Sequence, residues 1–446
     1  MEINYNKIYF IGIGGIGMSS IALFYLNHNK VIGGYDQTKS DLTLRLSNNG
    51  AQIHYESKVS NIPMEFKDNT NTLIVYTPAI SKDDVELNYF IENDYKIFKR
   101  SEVLGIISQN KFCIAIAGTH GKTTTSTILS HLLFENNVSF TSFIGGISEN
   151  YNSNLIENGG DIVLVEADEF DRSFLTLYPN IACITSVDSD HLDIYNSGKE
   201  IEESFKEFTK NIKKEGVLFN SFDLPFSGVS YGFNPEAKYS IENYRIQHDH
   251  VLFDIRNENR ICKNIRFNMP GKHNACNALA AFAICKQLKM KDDDLVKSFA
   301  TFEGVKRRFS YVLKSPKILI DDYAHHPKEI QAIYDSIKFI YPKKKVMAVF
   351  QPHLFSRTRD FMSEFANELS KFNEIVLMDV YPAREDPICG IDSGELLKRI
   401  NNSNKKLLDK LELINHIVKS DVDVVIMMGA GDISNEVNKV KKAILN

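Results

Sequence analysis

Nine short β-rich runs recur along this chain, KIYFIGIG, NTLIVYTPA, KFCIAIAG, DIVLVEAD, IACITSV, KILIDDY, KKVMAVFQP, EIVLMDVYP and VDVVIMMGAG, and helical stretches follow them. Strands alternating with helices build parallel sheets with crossover connections, so the expected fold class is α/β. Several runs end directly in Gly, Asp, His or Thr. In open α/β sheets ligands bind beyond the carboxyl ends of strands, which places the chemistry at those residues. A chain of 446 residues is too long for one ordinary core. Glycine loops after the strands near residues 10 and 115, and a new strand-helix series from about 317, divide it into expected sections 1–107, 108–312 and 313–446. Between about 215 and 268 the alternation loosens, and an antiparallel patch is expected there.

Hydrophobic residues at 43% and charged residues at 24% are those of a soluble globular protein. A formal charge of -5 gives no broad attraction for nucleic acid or anionic membrane. No basic-apolar leader pattern opens the sequence and no apolar run approaches membrane-spanning length, so a cytoplasmic protein without membrane insertion is expected. The six cysteines are scattered without a C-x-x-C pair and read as reduced, mostly buried thiols.

The strongest local signal is AIAGTHGKTTT: an apolar strand, a tight loop over Gly118, Thr119, His120 and Gly121, and a helix opening at Lys122, Thr123 and Thr124. Glycines let backbone N–H groups approach phosphate oxygens, Lys122 reaches the outer phosphates, and the Thr123 hydroxyl can ligate magnesium. Ile116 stands where the usual pattern has its first glycine. A nucleotide triphosphate needs a divalent metal; Glu166 lies just past an apolar run, and Asp190 and His191 follow another. Oxygen ligands with one imidazole suit magnesium, or manganese in its place, better than zinc. Near the N-terminus, Gly12, Gly14 and Gly17, with Gly15 and Met18, satisfy G-x-G-x-x-G, and Asp36 ends the next strand where a ribose-binding acid belongs. That loop alone suggests a dinucleotide-dependent oxidoreductase, but it serves any diphosphate, including that of a UDP-sugar. Hydride transfer would leave Gly118–Thr123, Glu166 and His191 without a task, and a non-catalytic nucleotide-binding regulator would not need the metal ligands.

Together these motifs resemble the Mur ligase family over nearly the whole chain. The likeness extends through EADEFDRSF (166–174), DSDHLDIY (188–195), PGKHNACNALAA (270–281), GVKRRF (304–309), DDYAHHPKEI (321–330), QPHLFSRTRD (351–360) and GAGD (429–432). The resemblance implies a Rossmann-like UDP-sugar domain, a central P-loop-type ATPase domain with a mostly parallel sheet, and a Rossmann-like C-terminal domain that closes on ATP and the amino acid. Its alanine-adding branch is the nearest match, implying UDP-N-acetylmuramate and L-alanine as substrates, ATP with magnesium, an acyl phosphate intermediate, and a monomer or weak homodimer. A ligase that recycles a murein tripeptide onto the same UDP-sugar is the alternative within the family.

Residue by residue, the resemblance gives Lys122, His191, Arg308 and His325 catalytic roles, and Thr123, Glu166 and His191 the metal. Gly118–Thr124 with Asn274, Asn277, Arg308 and Asp322 would bind ATP, His273 standing with the two asparagines at the adenine edge. His120 would also touch the UDP-sugar beside Gly12, Gly14, Gly15, Gly17, Met18 and Asp36, while His325, Arg357 and Arg359 would face the amino acid. Plainer roles exist: the two asparagines could cap their helix, and the two arginines could be surface charges. Thr77 and Pro78 depart from the serine-containing S-x-A-I of relatives. Lys206 falls where later-step ligases carry a carbamylated lysine, and is read as a surface helix residue.

Overall fold

The computed structural model describes residues 5–188, 198–247, 250–258, 260–383 and 385–446. Among these, the strands form three sheets of five, ten and six members.

The first sheet holds β1 (Lys7–Ile11), β2 (Val31–Tyr35), β3 (Gln52–His54), β4 (Thr72–Tyr76) and β5 (Lys96–Lys99) in the order β3-β2-β1-β4-β5, all parallel. Ile8 and Phe10 pack into one apolar cluster and Tyr9 and Ile11 into another, so β1 is buried on both faces, which is why KIYFI is nearly all apolar. The chain steps outward from β1 to β3 and then returns to β4 on the other side of β1. This reversal opens a crevice at the carboxyl ends of β1 and β4.

The middle sheet contains β6 (Phe112–Ala117), β7 (Phe140–Ser148), β8 (Ser153–Asn158), β9 (Ile162–Ala167), β10 (Ile181–Ile184), β11 (Val217–Ser221), β12 (Val229–Gly232), β13 (Tyr239–Gln247), β14 (His250–Asn257) and β15 (Arg260–Phe267). Their order is β15-β14-β13-β12-β11-β10-β6-β9-β7-β8. The antiparallel patch expected over 215–268 is confined to β13–β15, because β11 and β12 extend the parallel part of the sheet. The helix Gly198–Lys210 precedes β11 and carries the chain across, whereas only two residues separate β13 from β14 and β14 from β15, too few for a crossover.

The third sheet is β16 (Ser310–Leu313), β17 (Ile318–Asp322), β18 (Val346–Phe350), β19 (Glu374–Leu377), β20 (Lys405–Leu407) and β21 (Val424–Met428) in the order β16-β17-β21-β18-β19-β20, with β16 alone antiparallel.

One apolar cluster joins the first two sheets, with Ile21 and Leu104 beside Phe143 and Phe174. The side-chain amide of Asn154 donates to the Ile16 carbonyl at 2.7 Å and to Ser19 Oγ at 2.9 Å, fixing the helix Ile16–Asn27 on the β7-β8 hairpin. The third sheet follows directly on Lys306, whose N–H donates to the Ile147 carbonyl at 2.8 Å, and on Arg307, whose carbonyl accepts from Tyr323 N at 2.7 Å. All six cysteines are free thiols, three of them buried. Among the described residues no helix is long and apolar enough to cross a membrane.

Candidate active site

β6 ends at Ala117 and the helix Lys122–Glu135 starts after the turn Gly118–Gly121. Gly121 caps that helix at φ 86°, a left-handed conformation that glycine adopts without strain, and a Cβ there would lie 2.6 Å from Asn277 Oδ1. Asn277 is therefore packed directly on the loop. Ser186 Oγ, beyond the end of β10, accepts from His120 N at 2.8 Å and lies 3.0 Å from Thr119 Oγ1, which anchors the loop from the other side.

Lys122 Nζ donates to the Gly118 carbonyl at 2.6 Å and to the two oxygens of Glu169 at 3.0 and 2.7 Å. Burial pulls the Lys122 ammonium down, but Glu169, backed by Asp168, more than offsets this and holds it above its ordinary range. One residue along, Thr123 Oγ1 donates to Glu166 Oε2 at 3.1 Å, while Ser126 Oγ and Gly145 N donate to Glu166 Oε1 at 2.9 and 2.7 Å. Burial raises the Glu166 carboxyl above the usual range against the pull of the Gly145 N–H and Lys122. A hydroxyl and a carboxylate side by side at the start of this helix are hard oxygen donors of the kind magnesium takes. The third expected ligand, His191, lies outside the described residues, as does Asp190. Among the described residues no group of three or more His, Cys, Asp or Glu side chains could hold a metal.

Two cavities flank the loop. The first, of about 360 Å³, lies between His273, Asn274 and Asn277 on the middle domain and Arg308, Asp322 and His325 on the other side, with Thr119–Thr124 at its base. The second, of about 640 Å³, runs from Gly15, Gly17 and Met18 past Thr77 and Pro78 to Glu166, Arg307 and Tyr323. Both volumes suit small-molecule ligands. Lys122, Thr123 and Arg308 line both cavities, so the two meet at the phosphate loop.

Around the first cavity, buried Asp322 accepts from Phe309 N at 2.6 Å and Ala324 N at 2.8 Å, and burial pushes its carboxyl up to about 7 despite Arg308. The Asn274 amide donates to the Pro270 carbonyl at 2.6 Å. Arg308 lies over the Tyr323 ring at 5.3 Å and 3.4 Å from Glu329. Glu329 accepts from His325 N at 2.9 Å and His326 N at 3.2 Å. Burial works against its charge, yet His325, His120 and Arg308 hold the Glu329 carboxyl well below the usual range. His120 stands 3.7 Å from both Asp188 and Glu329, and Lys328 is paired with Asp188, which ties the C-terminal section to the middle one.

Other expected residues fall differently. Asp36 accepts from Gly14 N at 2.7 Å and Thr38 N at 2.9 Å, bracing the first glycine loop; neither it nor Gly12 and Gly14 line the second cavity. His325 lines the first cavity and stands near His353, 6.1 Å between rings, whose Nδ1 is 3.5 Å from the Arg357 guanidinium. Arg357 is buried. Arg359 is half-exposed on the short helix Phe355–Asp360 and paired with Asp360 at 2.7 Å; like Arg357 it lines neither cavity. Lys206 is half-exposed and paired with Glu202 at 2.6 Å, as a surface helix residue. Sequence reasoning gave no role to Glu169, Glu329 or Arg100. The signal available for the first two was a charge balance: cations drawn into a shielded site call for carboxylates nearby.

Three family models match in this same order: Mur ligase family, catalytic domain, over residues 7–112; Mur ligase middle domain over 116–285; and Mur ligase, glutamate ligase domain, over 307–431. The chain belongs to the Mur ligase family. Among its curated relatives, the UDP-N-acetylmuramate--L-alanine ligase of Flavobacterium psychrophilum is 50% identical over 440 residues, 98% of each chain. The same-named protein of Christiangramia forsetii is 48% identical over 448 residues, 100% of this chain and 99% of that one. Among solved structures, this Mur ligase is similar to the UDP-N-acetylmuramate-alanine ligase of Thermotoga maritima, with a TM-score of 0.84 and 26% identity over 98% of both chains.

Proposed function

We propose that this Mur ligase joins L-alanine to the lactyl carboxylate of UDP-N-acetylmuramate, converting ATP to ADP and phosphate, in the synthesis of peptidoglycan precursors. The observation that carries this is the 50% identity, over 98% of both chains, to a UDP-N-acetylmuramate--L-alanine ligase. Both curated relatives described above carry the alanine ligase's name.

The two cavities supply a physical route. ATP occupies the first, with its adenine toward His273, Asn274 and Asn277 and its ribose hydroxyls donating to Asp322; the UDP-sugar occupies the second, and the reacting groups meet at Lys122, Thr123 and Arg308. The lactyl carboxylate attacks the γ-phosphorus and ADP leaves, giving an acyl phosphate. The uncharged amine of alanine then attacks the acyl carbon, phosphate leaves, and the amine proton is lost. A carboxylate is a poor electrophile, and the phosphoryl group supplies the leaving group it lacks. Lys122 and Arg308 neutralise charge on the transferring group, and the loop N–H groups align it. Magnesium, or manganese in its place, would be held by Thr123, Glu166 and His191, and when bound it screens the phosphate oxygens. His325 and Arg357 are assigned to the acceptor side.

Sections 1–107, 108–312 and 313–446 then correspond to UDP-sugar binding, ATP binding and closure, in a cytoplasmic monomer or weak homodimer. Since ATP contacts come from both the middle and C-terminal sections, closure accompanies substrate binding. Small-angle scattering of the free and substrate-loaded protein checks this, and equal compactness in both would count against it.

The decisive experiment is phosphate release with MgATP and UDP-N-acetylmuramate, adding L-alanine, D-glutamate, the murein tripeptide or nothing. Release with L-alanine and a product of the expected mass is the predicted result; release only with tripeptide would select the recycling reaction.

A further inference from the structure

The first cavity is lined by a carboxylate that the reaction above does not use. Glu329 stands at the third position of the helix Pro327–Ile340, where it completes a capping box with His326. That local role engages one of its oxygens: Oε2 accepts from His325 N at 2.9 Å and His326 N at 3.2 Å, and lies 3.4 Å from His325 Nδ1. Oε1 faces Arg308 Nη1 at 3.4 Å and, inside the phosphate loop, His120 Nδ1 at 3.7 Å. The cap itself needs no charge, because glutamine fills this position as glutamate does.

Arg308 is carried on a constrained stretch of backbone. Its neighbours Arg307 and Phe309 have φ of 61° and 53°, left-handed values that residues with a side chain adopt only where the surroundings enforce them. Phe309 N donates to Asp322 at 2.6 Å and Tyr323 N to the Arg307 carbonyl at 2.7 Å, which fixes the base of the turn. At its tip, the ion pair of the Arg308 guanidinium among the described residues is with Glu329. Burial opposes the Arg308 charge, but Glu329, ahead of Asp322, more than offsets this and holds the guanidinium above its ordinary range. One contact at Nη1 leaves most of the five N–H donors of the fork for phosphate oxygens.

We infer that Glu329 is a positioning residue for phosphoryl transfer: its Oε1 holds the Arg308 guanidinium beside His120 of the phosphate loop, so that the cation is in place when charge develops on the transferring group. This rests on the ligase reading above. A donor aligned in advance needs no reorganisation at the moment of reaction, and a displacement of about 1 Å slows a reaction by roughly a hundredfold. The helix cap fixes the carboxylate, and the carboxylate fixes the arginine.

Steady-state phosphate release by the full chain, with MgATP, UDP-N-acetylmuramate and L-alanine varied in turn, tests this. Glu329→Gln keeps the cap and removes the charge; its kcat is expected to fall about tenfold to a hundredfold, with KM for UDP-N-acetylmuramate and L-alanine within about twofold of the parent. Glu329→Asp keeps the charge with a shorter reach, covers a folding failure of Glu329→Gln, and should fall between that variant and the parent. Arg308→Lys removes the fork, and adding Glu329→Gln to it should lower kcat by less than about twofold more, because the group acted on is already lost. Parent-like kcat in Glu329→Gln or Glu329→Asp would leave the side chain only its helix cap and overturn the inference. Full multiplication of the two losses would overturn it in favour of an action independent of Arg308, and a raised KM for L-alanine at unchanged kcat in favour of one through His325. If the unmodified protein released no phosphate with L-alanine present, the ligase reading itself would fall, and this inference with it.

Discussion

Lys122 Nζ lies 2.7 Å from one carboxylate oxygen of Glu169 and 3.0 Å from the other, so the ammonium proposed to meet nucleotide phosphates already has a counter-charge. Phosphate oxygens must take Lys122 over from Glu169. Glu169→Gln is therefore expected to melt lower than the parent without ligand, by an amount on the order of 1–3 kcal/mol for a shielded charge left under-compensated. Its stabilisation by a non-hydrolysable ATP analogue should be larger, since the triphosphate no longer competes. Differential scanning fluorimetry with and without the analogue reads both, and an unaltered ligand-induced shift would mean that Lys122 and Glu169 stay paired in the complex.

Lys122→Ala removes the cation shared by the two cavities. Turnover should fall by roughly two to three orders of magnitude, the scale for losing one preorganised charge-stabilising donor. UDP-sugar affinity should change little, because the glycine loop at Gly15–Met18 is untouched. Steady-state phosphate release and calorimetry separate these effects; normal ligation would refute the phosphate-loop assignment.

The two arginines of QPHLFSRTRD should behave oppositely. Arg357 is 7% exposed, and Arg357→Ala is expected to cost about 2 kcal/mol or more, as for a buried charge and its packing. Arg359 is half-exposed beside Asp360, and Arg359→Ala should stay within about 0.5 kcal/mol of the parent, with activity nearly unchanged. Urea denaturation curves and steady-state phosphate release for both variants make the comparison, and a large loss of turnover in Arg359→Ala would place it at the acceptor site.

How much of this was legible beforehand depended on distance along the chain. The glycine loops and the strands that lead into them are written in consecutive residues, so Gly118–Thr124 and Gly12–Met18 could be placed by their spacing alone. Glu169 finds its meaning 47 residues from Lys122, and Arg100 finds its ion-pair partner 68 residues away, distances at which no periodicity carries information. Asp36 was legible as an acid at the end of β2, but not as a brace for Gly14 N, because that depends on how the loop folds back. The parallel pairing of β11 and β12 escaped for a related reason: the seven residues between them hold no helix to announce a crossover, and the local pattern of a short strand is the same in either direction.

Away from the site, the wholly buried Glu86 accepts from Tyr9 Oη at 2.6 Å and Lys58 N at 2.9 Å, and burial pushes its carboxyl up to about 7. Its folded value exceeds the ordinary 4.5, so the native state holds this proton more tightly than the unfolded chain. The stability it contributes is complete below pH 4.5 and is lost as pH rises through about 7. Glu86→Gln, which imitates the protonated form, should show a shallower fall in Tm than the parent between about pH 5 and 8. Melting curves across that range decide it; parallel profiles would mean that Glu86 ionises without penalty.

Because Lys122, Thr123 and Arg308 are a common wall, the two cavities are neighbouring rooms of one chamber rather than separate sites. A single synthetic compound with a nucleotide-like head and a uridine-diphosphate tail, joined by a short tether passing that wall, would anchor one half and present the other at an effective concentration on the order of millimolar. Such a compound could hold both halves of the chamber at once, with an avidity neither head nor tail has alone.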